Sequence, residues 1–73
     1  MNIQLGKWYL MRNNWHFFAA IKRSDGCLRP IEGIMKTNDK RTLYMSLTEI
    51  GTIDNHKSHF DLISECPAPE GYL

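Results

Sequence analysis

Hydrophobic residues along this chain come in short bursts, separated by turn-forming positions. In the stretch from Lys7 to Lys22, KWYLMRNNWHFFAAIK, two apolar runs flank Asn13-Asn14. Asn tolerates positive φ better than other non-glycine residues, and a two-residue hairpin turn that follows strand twist needs it. The pattern therefore predicts two strands joined at Asn13-Asn14. With that loop, Arg12 faces Trp15, Leu10 faces Phe17 and Trp8 faces Ala19. The other face pairs Met11 with His16, Tyr9 with Phe18 and Lys7 with Ala20. Both faces are apolar enough to need cover, and one layer buries only one of them well. A loop one residue longer or shorter re-pairs every side chain.

Downstream, Ser24-Asp25-Gly26 is a turn signal, and Pro30 belongs at an edge or a strand start because it donates no ladder hydrogen bond. From Ile31 to Lys36, Ile31, Gly33 and Met35 alternate with Glu32, Ile34 and Lys36. Gly33 marks a bulge or the close approach of another backbone. After the polar turn Thr37 to Lys40, the clearest period of two runs from Arg41 to Leu47. Leu43, Met45 and Leu47 lie on one side there, and Thr42, Tyr44 and Ser46 on the other. Thr48 to Gly51 reads as a turn into a short strand around Thr52-Ile53. His59 to Ser64 reads as a closing strand or a brief helical turn. Met1 to Gly6 forms an edge strand or an arm laid on the body.

Gly6, Gly26, Pro30, Gly33 and Gly51 cut the chain into pieces too short for stable helices. Several short strands with regular turn signals predict an all-β domain. The expected architecture is an SH3-like barrel of about five strands or a strongly bent antiparallel sheet, with a short helical turn near the C-terminus as a variant. Residues 1–65 form the single β-domain and 66–73 a tail.

Several pieces in fixed order resemble a family of small phage and prophage proteins. They are Gly6-Lys7-x-Tyr9-x-x-Arg12, Ala19-x-Ile21, Pro30-Ile31-x-Gly33, Thr42-x-Tyr44 before Gly51, and Phe60-Asp61-Leu62-Ile63-Ser64-Glu65. The match spans roughly residues 6–65. This chain has Asn14 where such proteins usually have Gly, and Arg29 where they often have an aromatic residue. The resemblance implies a compact β-fold and a phage or prophage origin, and no particular reaction.

The 73 residues carry a formal charge of +1, which makes no general case for nucleic acid or membrane. Basic residues gather between Lys22 and Arg41, and acidic ones dominate from Glu49 onward. Cys27 and Cys66 lack metal spacing and are expected to be free thiols. With no apolar run of about 20 residues and no signal sequence, the cytoplasm is the expected location (the host cytoplasm for a phage protein), with no membrane contact. His56 and His59 stand i, i+3 near Asp54 and Asp61, but a metal site needs three or four convergent ligands. No phosphate loop or nucleophile motif is present, so neither catalysis nor a cofactor is expected.

What remains is binding. In the two-residue-loop register, Tyr9, Met11, His16 and Phe18 form an aromatic and Met-rich patch rimmed by Arg12 and Lys22, suited to an interface core. These six residues are the expected docking site for a protein, either a second copy or a host factor whose inhibition would serve the phage. The alternative is single-stranded nucleic acid stacked on Tyr9, His16, Phe18 and Tyr44 beside Arg12, Lys22, Arg23 and Arg41.

Overall fold

A computed structural model describes residues 2–70; Met1 and positions 71–73 lie outside it. Five strands follow one another: β1 (Trp8–Met11), β2 (His16–Lys22), β3 (Ile31–Lys36), β4 (Thr42–Leu47) and β5 (Leu62–Cys66). All pairings are antiparallel, in the order β4-β3-β2-β1-β5. The first four strands form a meander, and β5 returns to the free side of β1. The all-β expectation holds in its bent-sheet form. The sheet is not closed, and β4 and β5 are its edges.

The first hairpin differs from expectation by one residue. Asn14 N–H donates to the Met11 carbonyl at 2.9 Å, and Met11 N–H donates to the Trp15 carbonyl at 2.8 Å. The loop is therefore three residues, Arg12 to Asn14, with Asn14 at φ 70°. This is a type I turn closed by a left-handed residue, the commonest three-residue hairpin loop. The Asn13 side chain reinforces it, its Oδ1 accepting Trp15 N–H at 3.0 Å. The β3–β4 hairpin repeats the device. Lys40 N–H donates to the Thr37 carbonyl at 3.1 Å, and Lys40 has φ 67°.

That extra loop residue moves every pair. Tyr9 faces Phe17 and Trp8 faces Phe18. The inner face becomes Tyr9, Met11, Phe17 and Ala19, continued by Ile31, Met35, Leu47 and Leu62 from the other strands. Ile3, Trp15, Met45, Ile53 and Phe60 pack around this core. Two irregularities bend the sheet, one between Ala19 and Ile21 against β3 and one between Leu10 and Met11 against β5. A bulge adds local twist and lets a strand curl over its own core.

Gly33 lies opposite Ala19, beside the first irregularity. A Cβ there would stand 1.9 Å from the Phe18 carbonyl oxygen and 2.9 Å from Phe17 Cζ. The missing side chain thus gives the fully enclosed Phe17 ring its place under β3. This is the close backbone approach read from the sequence.

The N-terminal segment is an arm and not a strand. Ile3 packs on the core, Gln4 N–H donates to Tyr9 Oη at 2.8 Å, and Gly6 N–H donates to the Ala19 carbonyl at 2.7 Å. No strand forms at Thr52-Ile53. Instead Thr48 N–H donates to the Thr52 carbonyl at 2.7 Å and Gly51 N–H to the Thr48 carbonyl at 3.0 Å, a tight turn with Gly51 at φ 83°. Ser58 to Asp61 is likewise a turn, closed by Asp61 N–H to the Ser58 carbonyl at 3.2 Å. The closing strand starts only at Leu62 and runs to Cys66, one residue into the expected tail. Among the described residues there is no helix.

Candidate docking face

The six residues expected to form one patch are spread over four places. Tyr9 is 2 % exposed and Met11 is fully enclosed. Both sit on the inner face, because the three-residue loop puts them opposite Phe17 and Trp15 and not opposite Phe18 and His16. The register slip therefore removes them from any surface of this subunit. His16 and Phe18 lie together on the other face, half-buried. The Phe18 ring centroid is 5.2 Å from that of Trp8, in a tilted contact.

Arg12 has a structural task at the hairpin tip. Its N–H donates to the Asp61 carbonyl at 2.8 Å, while Asn13 N–H donates to the His59 carbonyl at 2.9 Å. The Arg12 guanidinium lies 3.7 Å from Asp61 Oδ2, and its Nε donates to the Ser58 carbonyl at 3.2 Å. Asp61, itself buried, also accepts Ser58 N–H at 3.0 Å. The tip is thus stitched to the turn that launches β5. Lys22 pairs at 3.3 Å with Glu49, and both side chains are more than half exposed.

A different apolar surface takes the place of the expected one. Trp8, Phe18, Ile34 and Tyr44 form a row across the outer face, since each is the register partner of the next. The irregularity in β2 puts Ile21 opposite Glu32, adding Ile21 to that face. Ala20, Ile21, Ile34 and Tyr44 then line an open groove of about 350 Å³, with Glu32 and Ser46 at its polar rim. Tyr44 is 88 % exposed and Ile21 57 %. Of the other exposed large apolar side chains, Leu5, Leu28 and Ile50 lie in loops, while Leu43 and Ile63 stand on the edge strands β4 and β5.

Glu32 is held from outside the groove by Arg23 Nε at 3.3 Å. Arg23 also binds Asp25. That hydrogen bond raises the guanidinium above its ordinary value and lowers the Asp25 carboxyl below its own. The net effect is a polar, charge-compensated rim beside an apolar floor.

The remaining chemistry-bearing groups do not converge. Among the described residues, no three His, Cys, Asp or Glu side chains are grouped to hold a metal ion. His56 N–H donates to Asp54 Oδ1 at 2.7 Å, and the His59 ring meets Phe60 edge-on at 6.4 Å. Cys27 and Cys66 are free thiols, with burial pushing the Cys66 thiol up. Among the described residues, no helix is long and apolar enough to cross a membrane.

The groove was partly legible in the sequence. Ile34 and Tyr44 occupy the polar phase of otherwise clean alternations, which is the signature of a strand with something to cover on both sides. Ile21 escaped that reading because the bulge next to it shifts its face. No protein-family model, curated protein or solved structure matches the chain.

Proposed function

We propose that the chain is a non-catalytic protein-binding module that docks through the outer face of β2, β3 and β4. The observation that carries this reading is the groove of Ala20, Ile21, Ile34 and Tyr44, where the large side chains of Ile21 and Tyr44 stand mostly in solvent. Aromatic residues flanked by a polar rim are the usual composition of an interface core. Apolar contact area of this kind on a small domain is atypical unless something covers it. Protein is favoured over nucleic acid because the charged group at the groove is Glu32, and a phosphate backbone calls for uncompensated Lys or Arg. The resemblance to phage and prophage proteins is consistent with a partner that is a host factor or a second copy.

The test places a photo-crosslinking phenylalanine analogue at position 21 in the full chain, with position 57 as an off-face control. The expected result is a discrete protein adduct from position 21 and none from 57. Equal labelling at both positions, or none at 21, would defeat the reading. A mobility shift with labelled oligonucleotides at low salt that disappears as salt is raised would instead move the groove to the nucleic-acid alternative.

A further inference from the structure

The two edges of the sheet are not alike. β5 carries Glu65, faces an irregular pairing with β1, and runs into Pro67 and Pro69. Charge, bulge and proline are the devices by which proteins keep an edge from pairing. β4, Thr42-Leu43-Tyr44-Met45-Ser46-Leu47, has none of them: no charge, no proline, no glycine, and six unbroken pairs with β3.

The hydrogen-bond phase of β4 follows from its hairpin. Thr37 N–H donates to the Arg41 carbonyl at 3.0 Å, so Thr37 and Arg41 are a hydrogen-bonded pair. Antiparallel pairs alternate. In the observed register, Leu43 and Met45 therefore exchange bonds with Met35 and Gly33, whereas Tyr44 and Ser46 direct their N–H and C=O groups at the open edge. Those groups ask for an extended backbone.

We propose that this edge pairs with β4 of a second copy, in an antiparallel register centred on Met45. A two-fold axis perpendicular to the sheet keeps inner rows beside inner rows. Met45 then lies opposite itself, and Leu43 opposite Leu47 of the second copy. Tyr44 lies opposite Ser46 in both halves, each pair exchanging two backbone hydrogen bonds. Leu43, which is 37 % exposed at the margin of the core, gains an apolar neighbour. The ends carry opposite charges, with Lys40 and Arg41 before the strand and Glu49 after it; within the subunit Asp39 holds Arg41 and Lys22 holds Glu49, and antiparallel pairing adds Arg41 of one copy opposite Glu49 of the other. The two outer grooves become neighbours on one continuous sheet.

This inference goes beyond the docking reading: it fills the open edge of β4 and leaves the outer groove uncovered. Analytical ultracentrifugation of the full chain should show a concentration-dependent step from 8.5 kDa to twice that mass. Tyr44→Pro removes only an edge-facing N–H, leaves the β3–β4 ladder its donors, and should abolish the step. Tyr44→Lys, which keeps the backbone donor but adds charge to the edge, should weaken dimerisation at least tenfold and decides the matter if the proline variant fails to fold. In a Cys27→Ser, Cys66→Ser background, Met45→Cys should oxidise to an interchain disulfide, because directly opposed non-hydrogen-bonded residues bring Cα atoms to about 4.5 Å. A chain that stays at single mass up to millimolar concentration, or a dimer unaffected by both Tyr44 variants, overturns the proposal. An adduct from position 21 to a different protein, with the chain monomeric, would overturn this inference alone and leave the docking reading standing.

Discussion

Replacing Gly33 with Ala is the sharpest single test of the sheet geometry. The added Cβ would lie 1.9 Å from the Phe18 carbonyl oxygen and 2.9 Å from Phe17 Cζ. Carbon–oxygen contacts between strands sit at about 3.3 Å or more, so β2 and β3 must separate locally by about 1.4 Å. Backbone and a fully enclosed ring are the obstacles, and neither has a free end to swing away. Overpacking of this kind costs about 1–3 kcal/mol, and a loosened ladder adds about 1 kcal/mol per weakened hydrogen bond. Lower entropy of the unfolded chain returns about 0.4–1 kcal/mol. The net expectation is a loss of about 3 kcal/mol, a large part of the total for a domain whose stability is on the order of 4–11 kcal/mol. Gly26→Ala is the control, because φ is +79° there with nothing within 4 Å of the new Cβ. Its cost is conformational, about 1–2 kcal/mol. Urea unfolding followed by tryptophan fluorescence measures both. Should Gly33→Ala unfold no earlier than Gly26→Ala, the close packing of β2 on β3 described above is wrong.

The loop and core assignments make further predictions. Lys40→Gly should raise Tm by several degrees and Asn14→Gly by less, since Lys at φ 67° bears more strain than Asn at φ 70°; a fall in either midpoint would refute the left-handed loop assignment at that position. Phe17→Ala should cost about 3–5 kcal/mol, and Phe18→Ala well under that, because Phe17 is enclosed and Phe18 half-buried; the reverse order in thermal unfolding would restore the two-residue loop. Burial raises the Cys66 thiol, so its thiolate is disfavoured in the folded chain. Cys66 alkylation, read by mass spectrometry near pH 8.5, should be slower in the native protein than in urea. The same shift leaves stability unaffected below the unfolded thiol value and erodes it as pH rises through that value toward the folded one; a Cys66→Ser chain that loses as much stability over that alkaline range would contradict it.

Strand positions along this chain are local properties. Alternation at Ile31–Lys36 and Arg41–Leu47 and the placement of Gly33 and Pro30 were enough to predict an all-β sheet, because period-two patterning and backbone restrictions act residue by residue. The face each strand buries was not local. It turned on whether the first loop holds two residues or three, and Arg12-Asn13-Asn14 is compatible with either until Arg12 and Asn13 bond to Asp61 and His59 across the fold. One residue of register moved Tyr9 and Met11 from an expected surface into the core. The course of the backbone after β4 was similarly hidden: Thr52-Ile53 became part of a turn because Thr48 closes on Thr52. Composition and alternation thus determined that short strands form and that one sheet has apolar residues on both sides. Only the tertiary structure decided which side is enclosed, because pairing register depends on contacts between segments some fifty residues apart, such as Arg12 with Asp61.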